Sequence, residues 1–432
     1  MWANVFSSQL NSIFGTILKN SSLALLVKII GSAISISLAA IIARYYGPDI
    51  AGQYFLLMSI VTYFVVVGSF GQQNAMLQKV SSTGSEEKKF TLLNSSIFIV
   101  MCFSMILSCL MYFASEFISS NIFNKPELKE ALESIVFLIP LLSLLNVFSA
   151  YYQANNRIIV SMSILGPIPN TIVLAVLMLV SFIGIELQFN NFILFVIICT
   201  FISLLYSSFM VRGYEFDSLD FGAIKKMLLI GSPMLVVQAC MQLNSLIGQF
   251  SLGVWGTTTD IAFFAIANKI AILISLILTS VNKIAAPKFS ELYSTGNYEE
   301  LKVVVKNCSR LMLLFSFPFL LILLFFPKWV LGFFGEEFEA ASQILRILAV
   351  GQFINVSTGS VGFILLMTGR QKVARNNMLL SLFIALFLSI IIVPVYGADG
   401  AAIVTLLSLS TANLLSWYTV KKELKINTFK IL

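Results

Sequence analysis

Twelve stretches of this chain are long, apolar and nearly free of charge: 23–43, 51–71, 92–114, 134–154, 158–183, 191–211, 227–251, 261–285, 311–331, 343–367, 376–396 and 400–420. A hydrocarbon core of roughly 30 Å takes about 20 apolar residues to cross as a helix. Lipid offers no partner to an unpaired peptide group, so each stretch has to be helical throughout. The pattern predicts an all-α integral membrane protein with twelve transmembrane helices. The first stretch starts too late, runs too long and lacks the small-residue cleavage site of a removable signal peptide, so it is expected to remain as a span. Only 11% of the residues are charged, against roughly 25% in soluble proteins, which excludes a soluble enzyme.

The net charge of +7 would suit nucleic acid if the basic residues shared one solvated face. They follow membrane topology instead. With twelve spans and cytoplasmic ends, 19 of the 27 Lys and Arg residues fall in loops and tails on the side of the termini, from Lys19, Lys79, Lys88 and Lys89 through Arg157, Arg212, Lys225, Lys226, Lys288 and Arg370 to Lys430. The opposite loops hold three, Arg44, Lys125 and Lys129. Basic loops are retained in the cytoplasm, so both termini are expected there and no nucleic-acid partner is expected.

The longest connections, about 286–310 and 72–91 on the basic side and 115–133 on the other, are too short to house a folded domain. Function is therefore expected in the helical bundle, and enzymatic activity is not expected. The chain has no histidine, which removes His-based acid–base chemistry and His metal ligation. Cys102, Cys109, Cys199, Cys240 and Cys308 sit in or beside apolar stretches without metal-ligand spacing and read as small hydrophobes. No phosphate-binding Gly-x-x-x-x-Gly-Lys-[Ser/Thr] motif occurs, so energy would come from an ion or substrate gradient. No cofactor is expected, and the coupling ion, H+ or Na+, stays open.

A faint internal repeat divides the chain. Asp49-Ile50-Ala51 before the second stretch is matched by Asp260-Ile261-Ala262 before the eighth, a shift of 211. Asn146-Val147 is matched by Asn355-Val356, a shift of 209, and a short basic turn follows each, with Arg157 or Arg370. Six spans per half give both halves one orientation, related by an axis along the membrane normal. The expected organisation is an interfacial amphipathic segment over 1–22, a six-helix lobe over 23–211, a cytoplasmic linker over 212–226, a second six-helix lobe over 227–420, and a basic tail over 421–432. The first of these has Trp2, Val5, Phe6, Leu10, Ile13, Phe14 and Ile17 at helical spacing.

The stretch Ala43-Arg44-Tyr45-Tyr46-Gly47-Pro48, followed by Gly52 and Tyr54, resembles the N-terminal signature of bacterial polysaccharide flippases of the O-antigen type. That family belongs to the multidrug/oligosaccharidyl-lipid/polysaccharide exporter superfamily, with the multidrug extruders and the lipid II flippases. The resemblance extends to chain length and the six-plus-six layout. It implies two lobes in a V around a central cavity in the bacterial cytoplasmic membrane. It also implies alternating access that carries an undecaprenyl-pyrophosphate-linked oligosaccharide repeat unit from the cytoplasmic to the periplasmic leaflet. A polysaccharide polymerase and a chain-length regulator would be partners besides the bilayer.

A charge at the bilayer centre costs at least about 2.5–3.5 kcal/mol, so intramembrane ionisable residues point to function. Here they are one-sided: no Asp or Glu falls inside a predicted span, whereas Lys28 and Lys269 lie about two turns into theirs. Lys28 shares a helix face with Ser32 and Ser35; Gln238, Gln242, Ser245 and Gln249 form a stripe near Asn244; Asn268, Ser275, Thr279 and Asn282 accompany Lys269; Gln352 and Asn355 lie on the tenth stretch. Such amides and hydroxyls either line a lumen or hold helices together. An acid-free, amide-rich, cationic lumen suits an anionic glycolipid. With Arg44 from the signature, the candidate substrate-binding residues are Lys28, Arg44, Lys269, Gln238, Gln242, Asn244, Asn268, Asn282, Gln352 and Asn355. A multidrug or small amphipathic compound exporter of the same superfamily is the alternative, and the missing intramembrane acids weigh against drug export. Pro140, Gly166-Pro167 with Pro169, Gly231-Ser232-Pro233 and Pro318 are expected to kink their helices.

Overall fold

A computed structural model describes residues 2–81, 83–184, 187–211 and 220–428, with side chains from residue 26 onward except those of 283, 284, 286 and 287. The amphipathic side chains expected over 1–22 and the linker residues 212–219 lie outside the described set. Among the described residues every regular element is helical. Eight helices are long and apolar enough to cross a membrane, and up to ten crossings result if each of two bent pairs is one span.

The bent pairs differ in how far the sequence announces them. Ile158–Leu165 meets Pro167–Ile183 at 41°, where Pro167 has no N–H to give to the preceding turn. Thr258–Ala271 meets Leu273–Asn282 at 42°, with Ile272 at the break and neither glycine nor proline beside it. The helices Phe221–Trp255 and Tyr298–Phe325, by contrast, run through Pro233 and Pro318 as single elements.

Two helices far exceed a membrane's thickness. Gln371–Leu424 has 54 residues, which at 1.5 Å per residue is about 80 Å. It leaves helical geometry at Gly397 (φ 52°, ψ −129°), between two of the predicted spans. Trp2–Gly68 does the same at Gly47 (φ 74°, ψ 172°). Both glycines occupy positive φ, where a Cβ would be strained.

The apolar core is asymmetric along the bundle. At the end formed by residues 44–50, 115–133, 253–258 and 327–341, one cluster takes residues from both halves of the chain, including Leu57 and Val61 with Ile261, Ala267 and Leu348. At the other end, which carries the basic loops, two clusters are separate. One holds Met76, Leu93, Val147 and Tyr152 of the first half together with Ile224 and Met227. The second holds Phe289, Leu301, Ile364 and Val420. The helix Phe221–Trp255, expected to begin in the second lobe, therefore packs its first turns on the first: Gln72 Nε2 donates to the Met227 carbonyl at 3.2 Å. A Cβ on Gly71 would stand 2.2 Å from the Gly231 carbonyl oxygen.

The fused end is held by polar as well as apolar contacts. A Cβ on Gly52 would meet the Thr258 carbonyl oxygen at 1.8 Å, so the two helices behind the repeated acidic triplets cross backbone to backbone. Asp260 of the second triplet closes a capping box with Thr257, and Thr258 donates its hydroxyl to Asp49 of the first. Gln249 Nε2 donates to the Phe55 carbonyl at 2.8 Å. Lys125 is only 8% exposed; its ammonium donates to the carbonyls of Gly253 at 2.7 Å and Gly256 at 2.9 Å, past the end of Phe221–Trp255. Helix C-termini present unpaired carbonyls and the negative dipole end, which suits a cation. Burial draws the Lys125 ammonium below the usual lysine range, with Glu127 and Asp260 opposing.

Lys125→Met should leave the Gly253 and Gly256 carbonyls buried without a donor and lower stability by about 1–3 kcal/mol. Thermal unfolding of the detergent-solubilised protein measures this, and an unchanged midpoint would show that the ammonium contributes nothing there. Gly52→Val should be more damaging, because a backbone carbonyl cannot swing aside for the added side chain.

Candidate functional site

The cavity between the halves lies where their cores have parted. It has a volume of about 440 Å³ and is bounded by the first helix (Val27, Lys28, Gly31, Ser32, Ser35), the Gly166-Pro167 bend with Met162 and Asn170, and the Ile272 bend with Lys269 and Leu276. That size lies within the roughly 300–1,000 Å³ common for ligand sites. Both bent helix pairs therefore bend at the cavity wall. The first helix comes close to one bend at Gly31, where a Cβ would stand 2.8 Å from Pro167 Cγ.

Two lysines enter this otherwise largely apolar space from opposite walls. Lys28 Nζ donates to Thr279 Oγ1 at 2.7 Å, and Lys269 Nζ donates to Ser35 Oγ at 3.3 Å. Each half thus sends one ammonium to a hydroxyl on the other. Lys269 also stands 5.7 Å from the centre of the Phe55 ring, within cation–π range. Among the described residues no carboxylate lines the cavity. A neutral hydroxyl compensates a desolvated ammonium far less than an anion does. The cavity is consequently disposed to take an anionic group between Lys28 and Lys269.

The structure brings together only part of the candidate set. Lys28 and Lys269 share the cavity, with Ser32 and Ser35 on the Lys28 face. Arg44 is placed at the fused end of the bundle. There its guanidinium donates to the carbonyls of Phe333 at 2.9 Å and Gly332 at 3.2 Å, closing the C-terminus of Pro327–Gly332. Asn244 accepts from Ser408 at 2.7 Å and so joins two helices of the second half. Gln352 is buried and accepts from Asn355 at 3.5 Å. Asn282 is buried, and its Oδ1 has no hydrogen-bond partner among the described residues. Gln238, Gln242 and Asn268 are half-buried and do not line the cavity. The amide stripe thus divides: Asn244 and Gln249 serve packing, while cavity chemistry falls to the lysines and small hydroxyls.

Asn170 was not anticipated. It lines the cavity one turn beyond Gly166, and its N–H donates to the Gly166 carbonyl at 2.9 Å. Its available signal was a lone amide three residues after Pro167 in an apolar helix. Among the described residues no three His, Cys, Asp or Glu side chains converge in a way that could hold a metal ion.

A family model described as polysaccharide biosynthesis protein matches residues 41–343. The capsular polysaccharide biosynthesis protein CapF of Staphylococcus aureus is 26% identical over 183 residues, 42% of this chain and 44% of that protein. The match thus spans less than half the length of that relative. A Shigella flexneri protein named as an O-antigen transporter is 22% identical over 90% of this chain and 94% of its own. Among solved structures, the inward closed conformation of the lipid II flippase MurJ superposes with a TM-score of 0.75 at 17% identity, covering 92% of this chain and 87% of that one. This likeness is one of fold.

Ser32→Cys in a cysteine-free background should react with a membrane-impermeant thiol reagent supplied from the side of the basic loops. It should be protected from the opposite side, because the halves are parted at the first end and fused at the second. Labelling from both sides at equal rate would refute the one-ended cavity.

Proposed function

The chain belongs to the polysaccharide biosynthesis protein family, and we propose on that basis that it translocates lipid-linked oligosaccharides across the membrane by alternating access. The observation that carries this reading is the reciprocal pair Lys28–Thr279 and Lys269–Ser35, two ammonium groups that face one cavity between the halves, whose described lining holds no carboxylate. In this reading the cargo is an undecaprenyl-pyrophosphate-linked repeat unit moved from the cytoplasmic to the periplasmic leaflet of a bacterial cytoplasmic membrane. The Lys79–Lys89, Arg157 and Lys421–Lys425 end faces the cytoplasm, as do both termini. Counting each glycine-broken helix as two crossings and each bent pair as one makes twelve, arranged as lobes over 23–211 and 227–420. A polymerase and a chain-length regulator would receive the product.

The chemistry follows from charge. With the cavity empty of anion, each ammonium donates to a hydroxyl on the opposite half. A pyrophosphate between the two lysines exchanges those neutral bonds for charge-assisted ones, while the hydroxyls and Asn170 are free to meet sugar oxygens. Neutralising both lysines removes the charge that disfavours closure of the parted end. The Gly166-Pro167 and Ile272 bends are the points at which the walls swing. Opening towards the other leaflet requires release of Lys125 and Arg44 from the carbonyls they hold at the fused end. The cargo shifts the equilibrium only by binding the two states differently, and the two lysines supply that difference.

Replacing Lys28 or Lys269 with Ala should each remove one charge-assisted phosphate contact of about 1.5–3 kcal/mol, or about ten- to a hundredfold in affinity. Complementation of a flippase-null strain should fail for both variants while membrane insertion, checked by immunoblot, stays normal, and Lys→Arg should retain part of the activity. Full complementation by the Lys28→Ala/Lys269→Ala double variant would refute the site.

A further inference from the structure

A second cavity, of about 500 Å³, lies away from the first, at the end of the bundle that carries the basic loops. Val80, Glu86, Lys89, Tyr152, Asn155 and Arg157 are among its lining residues. What it could hold emerges from the internal repeat, because the same local structure is built again 213 residues later. The Arg157 N–H donates to the Tyr152 carbonyl and the Arg370 N–H to the Leu365 carbonyl, both at 2.8 Å. The residue before each arginine has positive φ, 59° at Asn156 and 78° at Gly369. Each arginine's carbonyl accepts from the residue four positions on, Ser161 or Ala374, both at 3.1 Å. Lys89 pairs with Glu86 at 2.7 Å, and Lys302 pairs with Glu299 at 2.7 Å, each three positions apart.

The two copies differ in what meets the arginine. Arg370 is held by the carboxylate of Glu423 and donates to the Tyr293 hydroxyl at 3.1 Å. The positions 213 residues before Glu423 and Tyr293 are Met210 and Val80. Neither offers an acceptor side chain, and Val80 is shorter than tyrosine by the whole ring. Arg157 donates instead to the Met210 backbone carbonyl at 3.5 Å, and among the described residues it has no carboxylate within salt-bridge distance. Lys89 stands across the cavity, sharing its ammonium between Glu86 and Asn155 at 2.9 Å. The second half fills this position with its own acid; among the described residues of the first half none fills it.

We propose that the Arg157–Lys89 cavity is a binding site for a phosphate-bearing anion, which occupies the place that Glu423 fills in the second half. A guanidinium takes two phosphate oxygens side by side and an ammonium a third. The lining carries two cations against the single carboxylate of Glu86. Four helices of the first half end or begin around the cavity, at Glu86, Ala154, Ile158 and Phe209. That is the level of lipid headgroups, so the phosphate belongs either to an anionic lipid or to a soluble phosphate monoester.

The test uses the purified full chain in neutral detergent, titrated with short-chain phosphatidylglycerol, short-chain phosphatidylcholine or inorganic phosphate, with the thermal midpoint as readout. A ligand that binds only the folded state raises the midpoint with concentration. Phosphatidylglycerol should give a saturable rise in the unaltered protein, phosphatidylcholine none, and Arg157→Ala should lose the rise. A response to inorganic phosphate without one to the lipid supports the same site with a soluble ligand. Val80→Tyr/Met210→Glu copies the filled arrangement; it should start from a higher midpoint and no longer respond. Met210→Glu alone serves if the buried Val80 position rejects tyrosine. Glu215→Gln/Asp217→Asn, in the linker, should leave the response unchanged; a stronger response would mean that the chain supplies its own carboxylate here as well, and would overturn the proposal. So would the absence of any response to lipid and phosphate, or responses in Arg157→Ala and Met210→Glu equal to that of the unaltered protein.

Discussion

Hydrocarbon offers nothing to a peptide group or an ion, and the whole molecule is arranged around that refusal. Every backbone N–H and carbonyl at membrane depth needs a partner within the protein, so the spans are helices and their interruptions are confined to places where a partner exists. The breaks at Gly47 and Gly397 fall between predicted spans. The bends at Gly166-Pro167 and Ile272 lie at the wall of the cavity, the kind of place where irregular backbone at membrane depth is tolerated. Cations obey the same rule. Lys125 and Arg44 lie against helix-terminal carbonyls, and Lys28 and Lys269 reach hydroxyls across the cavity.

The molecule is closed at one end and parted at the other because the two ends are built from different contacts. At the fused end the helices approach to backbone contact at Gly52, and the core is continuous across both halves. At the basic end each half keeps a core of its own. Helix Phe221–Trp255 belongs to both arrangements, with its start on the first half and its Gln249 joined to the Phe55 carbonyl at the fused end. A rearrangement that exchanges the closed and open ends has to move this helix relative to at least one neighbour. Interiors packed this densely favour discrete alternative arrangements over gradual deformation.

The internal repeat also explains why its two copies are not redundant. The bonds made by the Arg157 N–H and carbonyl, to Tyr152 and from Ser161, are reproduced at Arg370 by those to Leu365 and from Ala374, yet a duplicated scaffold leaves each copy's side chains free to diverge. In the second half Arg370 is satisfied by Glu423 and Tyr293 and ties helix ends together. In the first half the matching side chains are apolar and a cavity results.

Much of this was legible in the chain itself. Hydrophobic run length depends only on local composition and bilayer thickness, so the all-helical membrane class could be read directly; so could the position of Lys28 and Lys269, whose charge is conspicuous in apolar surroundings. The proline-marked bend was visible, but the one at Ile272 was not, because no residue there breaks a helix by its own chemistry. In the sequence Lys125 is an ordinary loop cation and Arg44 a candidate substrate contact, and the amides of the seventh stretch look alike. Sequence alone therefore determined what must be buried and where the charges stand along each span. Which groups meet was decided by tertiary packing: Lys28 finds Thr279 across 251 residues and Lys269 finds Ser35 across 234, and such partnerships depend on how helices from distant parts of the chain are set against one another in three dimensions.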